Sequence, residues 1–252
     1  MTSSIKQCDS FEIHHIFHGL DLHLHASGAI WIEKLRTLLI ADLHLERGSS
    51  LAQKGMLIPP YDTRQTLAKL DEVMVYFKPE HVIALGDNFH DYQGIQRLCE
   101  ADIALLDHLM QRAKFTWIEG NHDNPDYYKS QLNAENMSNE SINYSPIKQC
   151  QLENIHLIHD VNQSTNRPVM AGHLHPIALL KQRNVYLRKP CFLMSKNICI
   201  LPSFGSYTGG LNIRDDAFRS YWDDETKVFM MNAEHVVQVP VAKLVKNKRS
   251  AT

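Results

Sequence analysis

Four apolar runs of the sequence each end abruptly in side chains that can bind metal ions. The runs and the polar residues after them are residues 38–41 with Asp42 and His44, 82–85 with Asp87, 115–118 with Asn121, His122 and Asp123, and 169–171 with His173 and His175. Short apolar runs bounded by turn residues are typical of buried strands. Because open α/β sheets build their sites at the carboxyl ends of strands, we predict a polar site where these strands end.

The composition fits a globular protein without a general nucleic-acid-binding surface. The 252 residues suffice for one large α/β domain or two small ones, and 44% of them are hydrophobic. A formal net charge of -2 gives no overall basic surface, so any nucleic acid would have to be bound at a local site. The 15 histidines exceed what packing ordinarily needs.

The cysteines and the N-terminal residues favour a cytoplasmic protein. The five cysteines are scattered and include no CxxC pair, which favours reduced thiols over disulfides or a zinc knuckle. The chain does not begin with a basic segment followed by an apolar one, and no apolar run reaches membrane-spanning length. We therefore expect no membrane partner.

Helical patterns separate the apolar runs. Residues 62–77 are predicted to form a helix that starts with an Asp62-x-x-Gln65 capping box and ends before Pro79. The apolar face of this helix comprises Leu67, Leu70, Met74 and Phe77. A second helical stretch carries Ile95, Leu98, Leu105, Leu106 and Leu109 on one side. The order strand, helix, strand, helix, strand predicts parallel strands joined by crossovers.

The first 36 residues contain a second Asp-x-His motif. Residues 11–36 are predicted to form two short strands with a turn at residues 26–28, because Leu20, Leu22 and Leu24 alternate with polar residues. Asp21 and His23 have the spacing of Asp42 and His44, but they lie within this alternation. We interpret them as part of a solvent-exposed strand face.

The remaining segments predict one continuous domain over residues 1–252. Residues 124–148 are rich in Asn, Ser and Tyr and are interpreted as an irregular excursion beside the site. The last third is predicted to be β-rich, with strands at 191–194, 198–201, 227–232 and 235–239. Residues 243–252 form a basic C-terminal tail, and no domain boundary is visible.

The polar blocks, in chain order, resemble those of the calcineurin-like metallophosphoesterase family. They are Asp-x-His, Gly-Asp, Gly-Asn-His-Asp, His and Gly-His-x-His. Residues 42–50, 57–63 and 204–210 further resemble the bacterial subgroup of ligase-associated DNA damage response endonucleases. The resemblance implies a four-layer α/β/β/α sandwich of two mixed sheets, whereas the residues alone predict only mixed α/β.

The resemblance also implies two divalent metal ions that share Asp87. Asp42, His44 and His175 would complete the ligands of one ion, and Asn121, His159 and His173 those of the other. Mixed nitrogen and oxygen ligands suit Mn, with Fe or Zn as alternatives, better than Ca or Mg. His122 would act as the acid that assists the leaving oxygen, and Asp123 would orient it.

Three assignments stay open at this stage. His159 is favoured over His156 as a ligand because His159 follows its apolar run, whereas His156 lies within it. Arg47 and His90 are candidate substrate-binding residues. Arg47 could equally be a solvated charge, and His90 could cap the following helix.

The implied function is hydrolysis of phosphodiester bonds by attack of a metal-bridging hydroxide, with DNA as the substrate. One alternative is a phosphodiesterase or phosphatase acting on a small phosphoester such as a cyclic nucleotide. A weaker alternative is a non-catalytic metal-binding scaffold. The subgroup also implies a DNA ligase or helicase partner. Tyr127, Tyr128 and Tyr144 could stack on bases or pin the excursion to the domain.

Overall fold

Parallel strands connected by helices position the predicted polar blocks. The computed structural model describes residues 11–56, 59, 61–123, 144–163, 167–183 and 185–246. Strands β4 (Thr37–Ile40), β5 (His81–Leu85) and β6 (Lys114–Ile118) pair in parallel. The helices between them are α1 (Arg47–Gln53), α2 (Asp62–Phe77), α3 (Gly94–Arg97) and α4 (Glu100–Arg112). The predicted alternation of strands and helices is confirmed.

Three antiparallel strands, rather than the predicted two, extend this sheet at its N-terminal edge. They are β1 (Glu12–Phe17), β2 (Leu20–His25) and β3 (Ile30–Ile32), and they give a sheet with the order β1-β2-β3-β4-β5-β6 among the described residues. β1 was missed because its sequence, EIHHIF, does not alternate with period two. The prediction that His23 lies on a solvent-exposed strand face was also wrong, because this residue is only 8% exposed.

The predicted capping box at the start of α2 is wrong. Tyr61 is the N-cap, and Asp62 is the first helical residue. The Asp62 carboxylate instead accepts the backbone N–H of Gly48, at 2.9 Å, and so ties α2 to α1. The predicted apolar face of α2 is confirmed, because its residues Leu67, Leu70 and Met74 are buried. The second helical stretch is divided at Leu98 and Cys99 into α3 and α4.

A second mixed sheet faces the first. Its strands are β7 (Cys150–Leu152), β8 (Ile155–Leu157), β9 (Val169–Ala171), β10 (Pro176–Gln182), β11 (Val185–Met194), β12 (Ile198–Ile200), β13 (Leu211–Asn212), β14 (Lys227–Met231) and β15 (Val236–Val239). The order is β13-β10-β11-β12-β9-β8-β7, with β14 pairing β11 and β15 pairing β14. β8, β9 and β12 pair in parallel, as do β10 and β13, while the other pairs are antiparallel.

Three apolar clusters define the predicted four layers. The central cluster joins Leu39 and Ile83 of the first sheet to Met170 and Phe192 of the second. Another cluster packs α2 and α4 onto the outer face of the first sheet. On the outer face of the second sheet, the layer consists of 3₁₀ turns around Val161, Phe218 and Val241 rather than α-helices.

Parts of two predicted segments lie outside the described residues. These are residues 124–143 of the excursion, with Tyr127 and Tyr128, and residues 247–252 of the basic tail. Within the described part of the chain, none of the helices is both long and apolar enough to cross a membrane.

Candidate metal centre

The predicted ligands lie in turns that directly follow the strands of the two sheets. Asp42, His44, Asp87, His173 and His175 all have positive φ angles, of 53°, 45°, 48°, 70° and 44°. Such left-handed backbone is uncommon for residues other than glycine and costs about 1–3 kcal/mol per residue. Backbone hydrogen bonds help to hold it, since the amide of His44 donates to the carbonyl oxygen of Asp87 at 2.9 Å. Such strain is common at functional sites, and five of the twelve described non-glycine residues with positive φ are candidate ligands.

The first ligand group comprises Asp42, His44 and His175, which bring three donor atoms within 4.8 Å of one another. The Nε2 atoms of His44 and His175 are 3.2 Å apart, and Asp42 Oδ1 lies 3.5 Å from His175 Nε2. His175 donates its Nδ1–H to the carbonyl oxygen of Gly209 at 3.2 Å. This hydrogen bond leaves Nε2 free to bind a cation.

The second ligand group comprises Asp87, His159 and His173. His159 Nε2 lies 3.1 Å from His173 Nδ1 and 3.4 Å from Asp87 Oδ2. The Oδ1 atom of Asn121 is 3.0 Å from the same His159 Nε2, so Asn121 joins this group. His159 donates its Nδ1–H to the carbonyl oxygen of Leu85 at 2.9 Å, which fixes the ring with Nε2 towards the other ligands.

Asp87 stands between the two groups. Its Oδ2 atom is 3.7 Å from Nε2 of His44 in the first group and 3.4 Å from Nε2 of His159 in the second. Its Oδ1 atom accepts the backbone N–H of His122 at 2.9 Å. One carboxylate therefore touches both groups and the turn that carries His122.

The electrostatics of the two groups fit divalent cations. Burial lowers the pKa of His44 to about 3, although Asp42 and Asp87 oppose the change, so this imidazole is a neutral ligand. Burial also lowers the pKa of His159, but the hydrogen bond to Asp87 and the charges of Asp42 and Asp87 outweigh it and raise that pKa to about 9. At His159, unlike at His44, the carboxylates therefore favour the protonated imidazole. A metal ion would replace that proton, because metal binding competes with protonation of the ligands.

His122 directs one ring nitrogen towards this centre. Its Nδ1–H donates to the backbone oxygen of His90 at 2.7 Å, and its Nε2 lies 3.9 Å from Asp87 Oδ2. The His122 ring stacks on the ring of His90, with centroids 5.3 Å apart and planes inclined by 21°. The His122 side chain is 37% exposed, so a substrate can reach it.

Asp123 does not make the predicted contact with His122. Its carboxylate is buried and accepts hydrogen bonds from Gly120 N at 2.9 Å, Asn88 Nδ2 at 3.1 Å and the Tyr144 hydroxyl at 2.9 Å. The His90 carbonyl, not Asp123, fixes the ring of His122. Asp123 instead anchors the turn after β6 to the turn after β5.

Arg47 and His90, the candidate substrate-binding residues, lie near the centre, whereas His156 does not. Arg47 is half-buried at the start of α1, and its charge adds to burial in lowering the pKa of His90 to about 4. Arg47 is therefore near enough to His90 to act on its charge, and the His90 ring lies 5.4 Å from the ring of His44 at the edge of the centre. His156 lies outside both ligand groups and pairs with Arg167 at 3.0 Å, whereas His159 is inside the second group.

Tyr144 has the structural role that we considered, not the base-stacking one. It is 3% exposed, its hydroxyl donates to Asp123, and its ring packs against Phe89 and Trp117 with centroids 5.3 and 5.4 Å away. A side chain with so little exposure cannot stack on a nucleotide.

Two residues that sequence reasoning missed lie beside the centre. Exposed Lys148 lines a cavity of about 390 Å³ together with Asn121, His159 and His173. Asn88 is fully buried, and its side-chain amide donates to Asp123 and to the carbonyl oxygen of Ile118. Asn88 directly follows Asp87, so its place in the Gly-Asp block was a usable signal. Lys148 had none, because it stands alone in an irregular segment.

The chain is similar to known phosphoesterases. The sequence profile described as calcineurin-like phosphoesterase matches residues 35–206. The crystal structure of Pseudomonas putida nuclease MPE is similar, with 26% identity, a TM-score of 0.67, and coverage of 90% of this chain and 100% of that chain. Yfce, a phosphoesterase from E. coli, has 13% identity and a TM-score of 0.38 over 81% of this chain and 97% of that chain. No curated protein matches the sequence.

Proposed function

Because the chain belongs to the calcineurin-like phosphoesterase family and is a metal-dependent hydrolase, we propose that it is a dinuclear phosphodiesterase that cuts DNA. The observation that carries the dinuclear part is the position of Asp87. Its Oδ2 atom lies 3.7 Å from His44 Nε2 and 3.4 Å from His159 Nε2, and so can serve both ligand groups.

Neutral ligands support a centre that binds phosphate. Asp42 and Asp87 are its only carboxylate ligands, while Asn121 and the four imidazoles carry no charge when they bind metal. Two divalent cations would therefore keep a surplus positive charge, which attracts an anionic diester. Mixed nitrogen and oxygen ligation favours Mn, with Fe or Zn as alternatives. When bound, the cation pair would supply the nucleophile by lowering the pKa of water and would hold the phosphate.

The chain's own residues would orient the diester and move a proton. The hydrogen bond from His122 Nδ1 to the His90 carbonyl leaves Nε2, at 3.9 Å from Asp87 Oδ2, as the atom that delivers a proton to the leaving oxygen. Lys148 is the basic residue of the cavity beside the second group, which Glu119 and Asp160 also line, and we assign it to contact with the substrate phosphate. We assign the same role to Arg47 beside His90.

DNA as the substrate rests on the resemblance of residues 42–50, 57–63 and 204–210 to DNA damage response endonucleases, and the similarity to a Pseudomonas putida nuclease supports a nucleic-acid substrate. The formal charge of -2 predicts few phosphate contacts and therefore a shallow dependence of DNA binding on salt concentration. We expect single-stranded character to be preferred, because splayed strands reach a local site more easily than a duplex does.

A substrate panel tests the proposal. The Mn²⁺-loaded chain is assayed on bis-p-nitrophenyl phosphate, mono-p-nitrophenyl phosphate, and labelled single-stranded and double-stranded DNA, with and without EDTA. We expect EDTA-sensitive cleavage of the diester and of DNA, and little cleavage of the monoester. Hydrolysis of small esters with every DNA left intact would contradict the DNA assignment. Failure of the metal-loaded chain to cleave any diester would contradict the phosphodiesterase.

A further inference from the structure

Four metal-binding side chains share one face of the hairpin formed by β1 and β2. They are Glu12 and His14 on β1, and Asp21 and His23 on β2, and we call them the hairpin cluster. His14 and His23 are directly paired across the strands, and their ring centroids are 3.9 Å apart. Because side chains two residues apart on a strand point to the same face, Glu12 and Asp21 flank this pair. We propose that the hairpin cluster is a further metal site, which binds Zn²⁺.

The two imidazoles are oriented as they are in protein metal sites. Their nitrogens towards Glu12 are His23 Nδ1, 3.5 Å from Oε2, and His14 Nε2, 4.0 Å from Oε1. Their other nitrogens point towards Asp21 Oδ2, with His14 Nδ1 at 3.2 Å and His23 Nε2 at 3.8 Å. Metal-binding histidines commonly use one nitrogen for the ion and donate the other N–H to a carboxylate. The arrangement assigns Glu12, His14 and His23 as ligands and Asp21 as the carboxylate that orients both rings.

The spacing of the three ligands fits a small cation. One donor atom from each of Glu12, His14 and His23 lies within 4.8 Å of the others. Ligands of a tetrahedral Zn²⁺ ion, with bonds of about 2.0–2.1 Å, lie about 3.3 Å apart. Small side-chain rotations would bring the three atoms to that distance. Two imidazoles and one carboxylate, with the fourth position open to water, are a ligand set that Zn²⁺ accepts.

One carboxylate oxygen of Glu12 lacks a hydrogen bond. Its Oε2 atom is buried and forms no hydrogen bond with any described residue. Leaving a buried carboxylate oxygen unsatisfied is costly, and a bound cation would remove that cost. In the described part of the chain, the ion pairs of Glu12 and Asp21 are all with histidines and none is with Lys or Arg. Among residues 11–246 as far as the structure describes them, no Lys or Arg side chain therefore competes with a cation for these carboxylates.

The hairpin cluster is accessible and separate from the dinuclear centre. The side chains of His14 and Asp21 are 54% and 50% exposed, so an ion can enter from solvent. Strand β3 lies between β2 and β4, the strand that leads to Asp42. β1 is the edge strand of its sheet, and a cation shared by Glu12, His14 and His23 would tie that edge to β2.

Zn²⁺ counting on the full chain tests the site. We compare the wild type with a His14→Asn/His23→Asn variant and with a His108→Asn control, which removes an exposed histidine on α4. Each protein is saturated with Zn²⁺, freed of loosely bound metal and analysed for zinc per chain. We expect the double variant to hold one equivalent less than the wild type, and the control to match the wild type. Hydrolysis of bis-p-nitrophenyl phosphate after reloading with Mn²⁺ should be the same in all three, which verifies folding and an intact dinuclear centre.

Two single variants keep the test decisive if the double variant folds poorly. Glu12→Gln removes the ligand charge with little change of shape and should also lose one equivalent. Asp21→Asn keeps the three ligands and should lower the affinity of that equivalent by about ten- to a hundred-fold. Equal zinc content in the wild type and in Glu12→Gln, with Asp21→Asn unchanged in affinity, would overturn the proposal.

Discussion

Asp87 is the residue on which the dinuclear proposal depends most. Asp87→Asn keeps the size of the side chain but removes the charge that faces both His44 and His159. We expect the variant to bind fewer than two ions per chain and to lose nearly all diester hydrolysis. Metal analysis beside turnover measures this, with Asp107→Asn on α4 as a control that should behave as the wild type. A fully active enzyme that is fully loaded with a single ion per chain would contradict the prediction.

His122 should affect chemistry without affecting metal content. Its Nε2 faces Asp87, but its ring belongs to neither ligand group. His122→Ala is therefore expected to retain its metals and to lose about a hundred- to ten-thousand-fold in turnover. The loss should be smaller for p-nitrophenolate, a leaving group that needs no proton, than for an alkoxide. An equal loss for leaving groups of different pKa would mean that His122 binds the phosphate instead.

His25 should make folding sensitive to acid. Its Nδ1 accepts the backbone N–H of Ser27 at 3.2 Å, and burial together with the charge of Lys69 lowers its pKa to about 4 from 6.5. Between these pH values the unfolded chain binds the proton and the folded chain does not, so stability falls as pH drops through this window. The contribution is about 2 kcal/mol after allowance for partial exposure.

A comparison of urea unfolding isolates this contribution. The free energy of unfolding of His25→Gln should fall less than that of the wild type between pH 6.5 and pH 4, while the two proteins should have a constant difference above pH 7. Parallel curves throughout would show that His25 titrates normally in the folded chain.

At the residue scale, sequence reasoning selected side chains that the structure brings together, because their types and positions follow from chemistry. Apolar runs that end in Asp, Asn and His can be read directly, and the structure gathers those side chains. The orientation of individual rings could not be read, because it depends on backbone carbonyls such as those of His90 and Leu85. Asp123 is an example: its carboxylate accepts hydrogen bonds from Gly120, Asn88 and Tyr144 instead of orienting the His122 ring.

At the scale of elements, the close approach of two turns positions the candidate metal ligands. Gly120, in the turn after β6, lies so close to Asp87 that an added Cβ would collide with the Asp87 backbone nitrogen. Gly120→Ala should therefore push the two turns apart, cost about 1–3 kcal/mol of stability and weaken metal binding. Urea unfolding and metal titration measure both effects.

Gly209 provides the matched control for this prediction. It also lies in a loop beside the centre, but an added Cβ there would meet no atom within 4 Å. Gly209→Ala should leave stability and metal affinity close to those of the wild type. If both variants behave alike, close packing of the turns is not what positions Asp87.

Two elements were misassigned because contacts with another segment outweigh their own sequence pattern. β1 carries two adjacent histidines, His14 and His15, which hide its periodicity, yet pairing with β2 makes it a strand. Asp62 has the spacing of a capping residue, but the amide of Gly48 on a neighbouring helix takes its carboxylate. The Asp62 contact joins two helices, so no local capping rule could predict it, whereas the two-residue His18-Gly19 turn was a local signal for the hairpin that contains β1.

On the scale of the whole molecule, the candidate metal ligands come from both sheets. Asp42, His44 and Asp87 follow strands of the first sheet, and His159, His173 and His175 follow strands of the second. A ligand that binds only the folded chain stabilises it by mass action, by about 2.7 kcal/mol at a concentration one hundred times its Kd. Removal of the metals should therefore lower the unfolding temperature and loosen the contact between the sheets.

Thermal unfolding of EDTA-treated chain, with and without added Mn²⁺, measures this effect. We expect Mn²⁺ to raise the unfolding temperature of the wild type in a concentration-dependent way. The rise should be smaller for Asp87→Asn, whose remaining ligands no longer share a carboxylate between the sheets. The control His108→Asn should respond as the wild type does, because it changes the histidine content without touching either ligand group. An unfolding temperature that is independent of Mn²⁺ in the wild type would mean that Mn²⁺ does not bind the folded chain preferentially, and would contradict the proposed metal centre.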